Sequence, residues 1–325
     1  MKASKAALVV VAAAFAITTA AGTARAQGYP SGPVKVIVPF TAGSATDIMA
    51  RTVGDKLSSA LGKPVIVENH PGAGGTIGIN LVAKAAPDGL TLGVVSTGHT
   101  VNHVLYKGLP YDTIKDFAGV SPLATLPSVL IAAPSLGVKT VRDLVALAKS
   151  KPGQLNYGTA GVGSAAHINQ EKFNQATGIQ AVHIPFKGTP EILNEAMAGR
   201  IEMAWVPLIS SVGPIKDGKV VALAVSTPNR SETLPQVPTI KEAGYPGGEF
   251  NFWVGMLAPA KTPRDVVKRL NAEIAKAEQA PEVKARIAKL GAEPMPMSPE
   301  RFDAFIKEQY EDLGKIMRAA GAKPQ

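Results

Sequence analysis

Apolar runs alternate with amphipathic stretches along most of the chain. VKVIVPF (34–40) reads as a buried strand, and TDIMARTVGDKLSSALG follows with Ile48, Val53, Leu57 and Leu61 at roughly helical spacing up to Gly62. PVIVEN, TIGINLVAKAA and LTLGVVST continue as strand, helix and strand. After SVLIAAPS a second series repeats this order: helix TVRDLVALAKS, strand LNYG, a helix from about Ser164, AVHIPF, helix TPEILNEAMAG, IEMAWV and VVALAV. Such alternation predicts parallel sheets with helices on both faces. The two series share an architecture without sharing a sequence repeat. SPLATLPSVLIAAPS and FNFWVGMLAPA, which join them, are apolar and strand-like, so two ordered crossings between two lobes hinged around a cleft are expected.

The C-terminal stretch SPERFDAFIKEQYEDLGKIMRAAG reads as one helix. Ser298 can cap it, Pro299 suits the first position, and Gly321 can end it. Phe302, Phe305, Ile306, Tyr310, Leu313, Ile316 and Met317 form a stripe at three- and four-residue steps, expected to dock on a core.

The N-terminus has a different grammar. Lys2 and Lys5 precede an apolar run from Ala6 to Ala21, and Ala24-Arg25-Ala26 is a small-x-small cleavage site. This is the pattern of a secretory signal peptide cut after Ala26, with an uncleaved anchor as the alternative. Its removal leaves 299 of 325 residues, with 31 basic against 25 acidic, because Lys2, Lys5 and Arg25 leave with it. The residual +6 suits small anionic ligands or an acidic partner, but no basic run marks a nucleic-acid partner. There is no cysteine, which excludes disulfides, thiolate catalysis and Cys-ligated zinc.

Two loops stand out as anion-receptive strand-to-helix turns. PFTAGSATD (39–47) offers Thr41, Ser44 and Thr46 hydroxyls, with Ser44 or Thr46 as the cap. TAGVGSAAH (159–167) offers Thr159 and Ser164 before His167. Neither is a P-loop, since no Gly-Lys-Ser/Thr ends it, and the third glycine of a dinucleotide loop is missing. HTVNH places His99 and His103 at a metal-ligand spacing without the Glu of HExxH, so capping or polar-loop roles are expected instead. Ser164 and His167 sit three apart at one helix start, where capping or pocket lining is expected over base catalysis. Lys187 in IPFKGTPE can pair with an anion across a cleft or lie solvated. PGAGGTIG (71–78) can hold an anion or make a tight turn with positive φ.

Several longer words carry a family resemblance: VENHPGAGGTIG, AAPDGLTLG, LPYDTIKDFAGVS, KPGQLNYGTAGVGSAAH, IPFKGTPE, LPQVPTIKEAG and MLAPAKTP, in order across nearly the whole mature chain. The chain resembles the Bug-type extracytoplasmic receptors of tripartite tricarboxylate transporters. The resemblance implies an α/β, two-lobed periplasmic binding protein fold of type II, with a cleft between the lobes. It implies lobes of 27–125 plus 255–325 and of 126–254 behind a 1–26 signal peptide, and a small organic carboxylate held by amides, hydroxyls and waters. The expected ligand-binding set is Thr41, Ala42, Gly43, Ser44, Thr46, Asp47, Ser96, Thr97, Asn102, Thr159, Ala160, Gly163, Ser164, His167 and Lys187. No cofactor, metal or nucleic acid is expected. A periplasmic monomer that delivers its ligand to transporter membrane subunits is expected, not an enzyme. A sensor for a membrane signalling protein, or an enzyme on the same fold, are the alternatives. The chain departs from the family pattern at Ala42-Gly43-Ser44, where Pro-Gly-Gly is usual, and at His103, where proline is common. It departs again at Val206-Pro207, where Asp-Asn is common; the missing acid argues against an amino-acid ligand.

Overall fold

The computed structural model describes residues 28–289 and 291–319. The expected signal peptide with cleavage after Ala26, and the expected helix stop at Gly321, lie outside the described residues.

Two five-stranded sheets form the two lobes. Sheet 1 contains β1 (Val34–Val38), β2 (Val65–Asn69), β3 (Thr91–Ser96), β4 (Phe117–Leu126) and β10 (Phe252–Pro259), in the order β2-β1-β3-β10-β4. Sheet 2 contains β5 (Ser128–Ala132), β6 (Asn156–Thr159), β7 (Val182–Pro185), β8 (Met203–Pro207) and β9 (Val221–Val225), in the order β7-β6-β8-β5-β9. β1 pairs in parallel with β2 (Val36 opposite Val67) and β3, as β6 does with β7 and β8. The expected parallel arrangement therefore holds for three strands of each sheet. β10 and β5 run antiparallel to their neighbours, because each enters its sheet from the other lobe. The chain crosses from β4 to β5 at Pro127 and returns between β9 and β10, so the strand in the fourth place of each sheet is the first one formed after a crossing.

The helices are α1 (Ala45–Leu61), α2 (Thr76–Ala83), α3 (Asn102–Leu105), α4 (Val141–Ser150), α5 (Ala165–Thr177), α6 (Thr189–Met197), α7 (Leu208–Lys216), α8 (Arg264–Gln279), α9 (Pro281–Lys289) and α10 (Pro299–Ala319). Local signals place several of them. Thr140 and Asp143 close a capping box on α4, and Ser298 Oγ accepts from the Arg301 amide at 3.3 Å as α10 begins. Gly62 and Gly178 end α1 and α5 in the left-handed conformation.

Helix α10 lies on sheet 1 and buries Phe302, Phe305, Ile306, Leu313 and Met317. Trp253 of β10 meets Phe302 and Phe305 edge-on there. Lobe 2 has its own cores around Trp205 and Phe173 on one face and Ile131 and Ile192 on the other. One cluster bridges the lobes: Ala165 and Ile168 of α5 and Ile209 of α7 pack into the core built on Met49, Leu105 and Val254. The lobes are closed on one another.

Candidate functional site

The first loop is set by what Asp47 does. Its carboxylate accepts from the Gly43 amide at 2.9 Å, from Arg51 Nε at 3.0 Å and from Asn69 Nδ2 at 3.0 Å. Asn69 Nδ2 also donates to the Phe40 carbonyl at 2.9 Å, so the loop is tied at both ends. Burial opposes the charge, but the bonds from Arg51, Gly43 and Asn69 outweigh it and hold the carboxyl below its usual range. Asp47 is thus turned back onto its own loop. Ser44 occupies the N-cap position with extended backbone but makes no side-chain cap. Its Oγ instead accepts from the Thr189 amide of the opposite lobe at 3.3 Å.

The second loop is built differently. Ser164 Oγ caps α5 by accepting from the His167 amide at 3.4 Å. His167 Nδ1 accepts from the Gly163 amide at 3.3 Å, so that nitrogen is turned onto the loop backbone. Thr159 Oγ1 accepts from the Gly161 amide at 3.1 Å and lies 2.6 Å from His183 Nε2. The His167 and His183 rings stack at 4.6 Å. Burial lowers both to about 4, and for His183 the neighbouring His167 adds to the effect, so both are neutral at pH 7.

Between these loops lies a cavity of about 40 Å³. Lobe 1 lines it with Phe40, Ser44, Ala45, Thr46, Ser96 and Phe252. Lobe 2 contributes Ser128, Ala160, Ser164, Ala165, Ala166, Thr189, Ile192, Trp205 and Pro207. None of these residues carries a charge. The first residues of α1 and α5 both border it, and opening amides of a helix have no intrahelical acceptor. Two positive helix ends, one from each lobe, therefore address one uncharged space.

Glycines let the rims meet. A Cβ on Gly188 would stand 2.0 Å from Thr41 Oγ1, and one on Gly74 2.0 Å from the Val162 carbonyl. Gly74 also holds φ +60°, and Gly72 and Gly75 are positive as well, so PGAGGTIG is a tight turn. The Thr41 amide donates to the Lys187 carbonyl at 3.4 Å, while the Lys187 side chain is exposed outside the cavity.

Of the residues singled out from sequence, Ser44, Thr46, Ser96, Ala160 and Ser164 line the cavity. Thr41, Ala42 and Gly43 form the loop behind Ser44. Thr97 Oγ1 accepts from the Trp253 amide at 2.9 Å and anchors β10. Asn102 Nδ2 lies 3.4 Å from Tyr111 Oη, beside a smaller cleft shared with Ser96 and His99. His99 is enclosed by Tyr111 and Phe117, and burial lowers it to about 3. His103 stacks at 3.6 Å on Tyr310 of α10. The two imidazoles thus serve separate aromatic contacts. Among the described residues no three His, Asp or Glu side chains are grouped to hold a metal ion. The expected set did not contain Phe40, Ala45, Ala165 and Ala166 of the two turns and helix starts, nor Thr189 and Ile192 of α6. Nor did it contain Ser128, Trp205, Pro207 and Phe252, which reach the cavity from strands β5, β8 and β10 and look like ordinary core.

A family model described as the tripartite tricarboxylate transporter family receptor matches residues 49–322. Protein BugT of Bordetella pertussis is 33% identical over 318 residues, covering 97% of this chain and 98% of that protein. The solved periplasmic binding protein BugD superposes with a TM-score of 0.88 at 33% identity, over 91% of this chain and 100% of BugD. An R. palustris protein solved with adipate gives 0.88 at 32% identity, covering 91% and 100% of that chain. MatC from Rhodopseudomonas palustris, solved with malate, gives 0.85 at 32%, covering 89% and 99%. The two crossings, the facing helix starts and these likenesses agree: the chain belongs to the tripartite tricarboxylate transporter receptor family, the Bug-type solute-binding receptors.

Proposed function

We propose that this chain binds a small organic carboxylate between its lobes and delivers it to the membrane subunits of a tripartite transporter. The observation that carries the reading is the uncharged cavity where α1 and α5 begin face to face. An anion there meets free backbone amides and the positive ends of two helices. No buried cation has to be left unpaired when the anion leaves, which suits a carrier that must release its cargo. The adipate and malate bound by two structural neighbours support the ligand class. The ligand-contacting groups are proposed to be Ser44, Thr46, Ser96, Ala160 and Ser164, with Thr41, Gly43, Asp47, Thr159, Gly163 and His167 shaping the loops that present them.

The moving bodies are proposed to be residues 27–125 with 255–325 and residues 126–254, with both boundaries moved to the strand ends. β4 runs to Leu126 and β10 starts at Phe252, so the crossings fall at Pro127 and before Phe252. The working protein is a periplasmic monomer cut after Ala26, a cleavage that intact-mass measurement of periplasmic protein tests. Calorimetric titration with adipate, malate and benzoate tests the ligand class. A saturable heat with at least one of them is expected. If none of the three binds or raises the melting temperature, the carboxylate reading is wrong.

A further inference from the structure

We propose that the indole N–H of Trp205 is a hydrogen-bond donor to the ligand and that the site selects carboxylates with an apolar body and no cationic group. This rests on the carboxylate reading above and specifies which carboxylates the site takes. Trp205 lies on β8, is 1% exposed and lines the cavity, yet its Nε1 has no hydrogen-bond partner among the described residues. A buried indole N–H ordinarily finds an acceptor. Thr46 Oγ1, on the lobe 1 wall of the same cavity, is also buried without a partner. Asn169 shares the α5 face of Ala166 and Phe173, and both its amide atoms are buried and unpartnered. Phe173 meets the Trp205 ring edge-on at 5.9 Å. Trp205 and Thr46, one from each lobe, thus line one space with an unpartnered polar atom each, while Asn169 lies outside that lining.

Trp253 provides the contrast. Its Nε1 is unpartnered too, but its ring sits between Phe302 and Phe305 and does not line the cavity. Around Trp205 the walls are Phe40, Ile192, Pro207 and Phe252, which suit a carbon framework. An ammonium would find no carboxylate in that lining. Asp47 is engaged by Gly43, Arg51 and Asn69, and Val206 and Pro207 supply no acid.

The chain has two tryptophans, so the full-length mature protein gives two indole N–H signals in a proton–nitrogen spectrum, assigned with Trp253→Phe. Adipate, malate and benzoate serve as probes, and the tightest binder is used throughout. At saturation the Trp205 signal moves downfield and the Trp253 signal stays. Trp205→Phe weakens that probe about tenfold or more, the loss of a bond to a charged acceptor, with an unchanged circular dichroism spectrum. 2-Aminoadipate binds at least tenfold more weakly than adipate. A stationary Trp205 signal, or equal affinity in folded Trp205→Phe, overturns the donor role while leaving the carboxylate reading intact. Equal binding of 2-aminoadipate and adipate overturns the selectivity. Failure of all three probes removes the carboxylate reading and this inference with it.

Discussion

The hydroxyl of Tyr106, at the end of α3 in lobe 1, donates a 2.8 Å hydrogen bond to the carbonyl of Val162 in lobe 2. Burial raises this phenol to about 12, so it remains a donor at every pH the protein meets. The bond exists only when the lobes are closed, and it therefore adds to the free energy of the state that grips ligand. Tyr106→Phe keeps the ring and removes the donor. Ligand affinity should fall by about two- to tenfold, the worth of one neutral hydrogen bond, with little change in melting temperature. Calorimetry against the parent measures this, and an unchanged dissociation constant would show that the bond does not bias closure.

Gly188 gives a steric version of the same test. Its backbone is extended at φ 178°, which any residue adopts, so alanine there introduces no backbone strain. Its Cβ, however, would meet Thr41 Oγ1 at 2.0 Å and Ser44 Oγ at 2.6 Å across the cleft. Gly188→Ala should fold normally and stay partly open. Small-angle scattering at saturating ligand should give a larger radius of gyration than the parent, with affinity reduced by roughly tenfold or more. Identical scattering curves would refute the rim contact.

Ser164→Asp separates capping from binding. An aspartate keeps the N-cap acceptor that the His167 amide uses now, so the helix should survive. It also places a negative charge at the α5 start, where the carboxylate of the ligand is proposed to sit. The variant should melt within a few degrees of the parent and lose binding in calorimetry. Ser164→Ala should weaken binding about tenfold or more if a charge-assisted bond is lost, and cost on the order of 1 kcal/mol in stability as a lost cap. An Asp variant that binds the same carboxylate as tightly as the parent would place the anion elsewhere.

The alternation of apolar runs and helical stripes in the sequence foretold β1, α1, β3, α4 and α10, because period and caps are local properties. The antiparallel β5 and β10 were not legible in that way. Their direction depends on which lobe each strand enters from, and only the completed topology determines that. The site divides along the same line. Ser44, Thr46 and Ser164 sit in Gly-rich turns whose composition advertises them. Trp205, Phe40 and Phe252 look like core residues, and only the closure of the lobes makes them cavity walls. Asp47 and Thr97 are polar and well positioned in sequence, yet the Gly43 amide within the same loop claims the first and the Trp253 amide of β10 claims the second.

Glu278 of α8 gives a prediction about stability that is independent of the ligand. It is 1% exposed, both carboxylate oxygens lack a partner among the described residues, and burial raises its pKa to about 8. Below pH 4.5, its ordinary value, the folded and unfolded chains both hold the proton. Between 4.5 and about 8 the unfolded chain has released it and the folded chain has not, so stability falls as pH rises. Above about 8 both forms are ionised and the loss levels off. Glu278→Gln keeps the shape and removes the titration. The difference between variant and parent should be small near pH 4 and grow to on the order of 5 kcal/mol in favour of the variant near pH 9. His99, His167 and His183, lowered by burial, weaken the fold as pH drops through the range below their ordinary value, but they do so in both proteins and cancel in the difference. Urea unfolding of the two proteins from pH 4 to 9 measures it. A difference that is the same at every pH would show that Glu278 ionises freely in the fold.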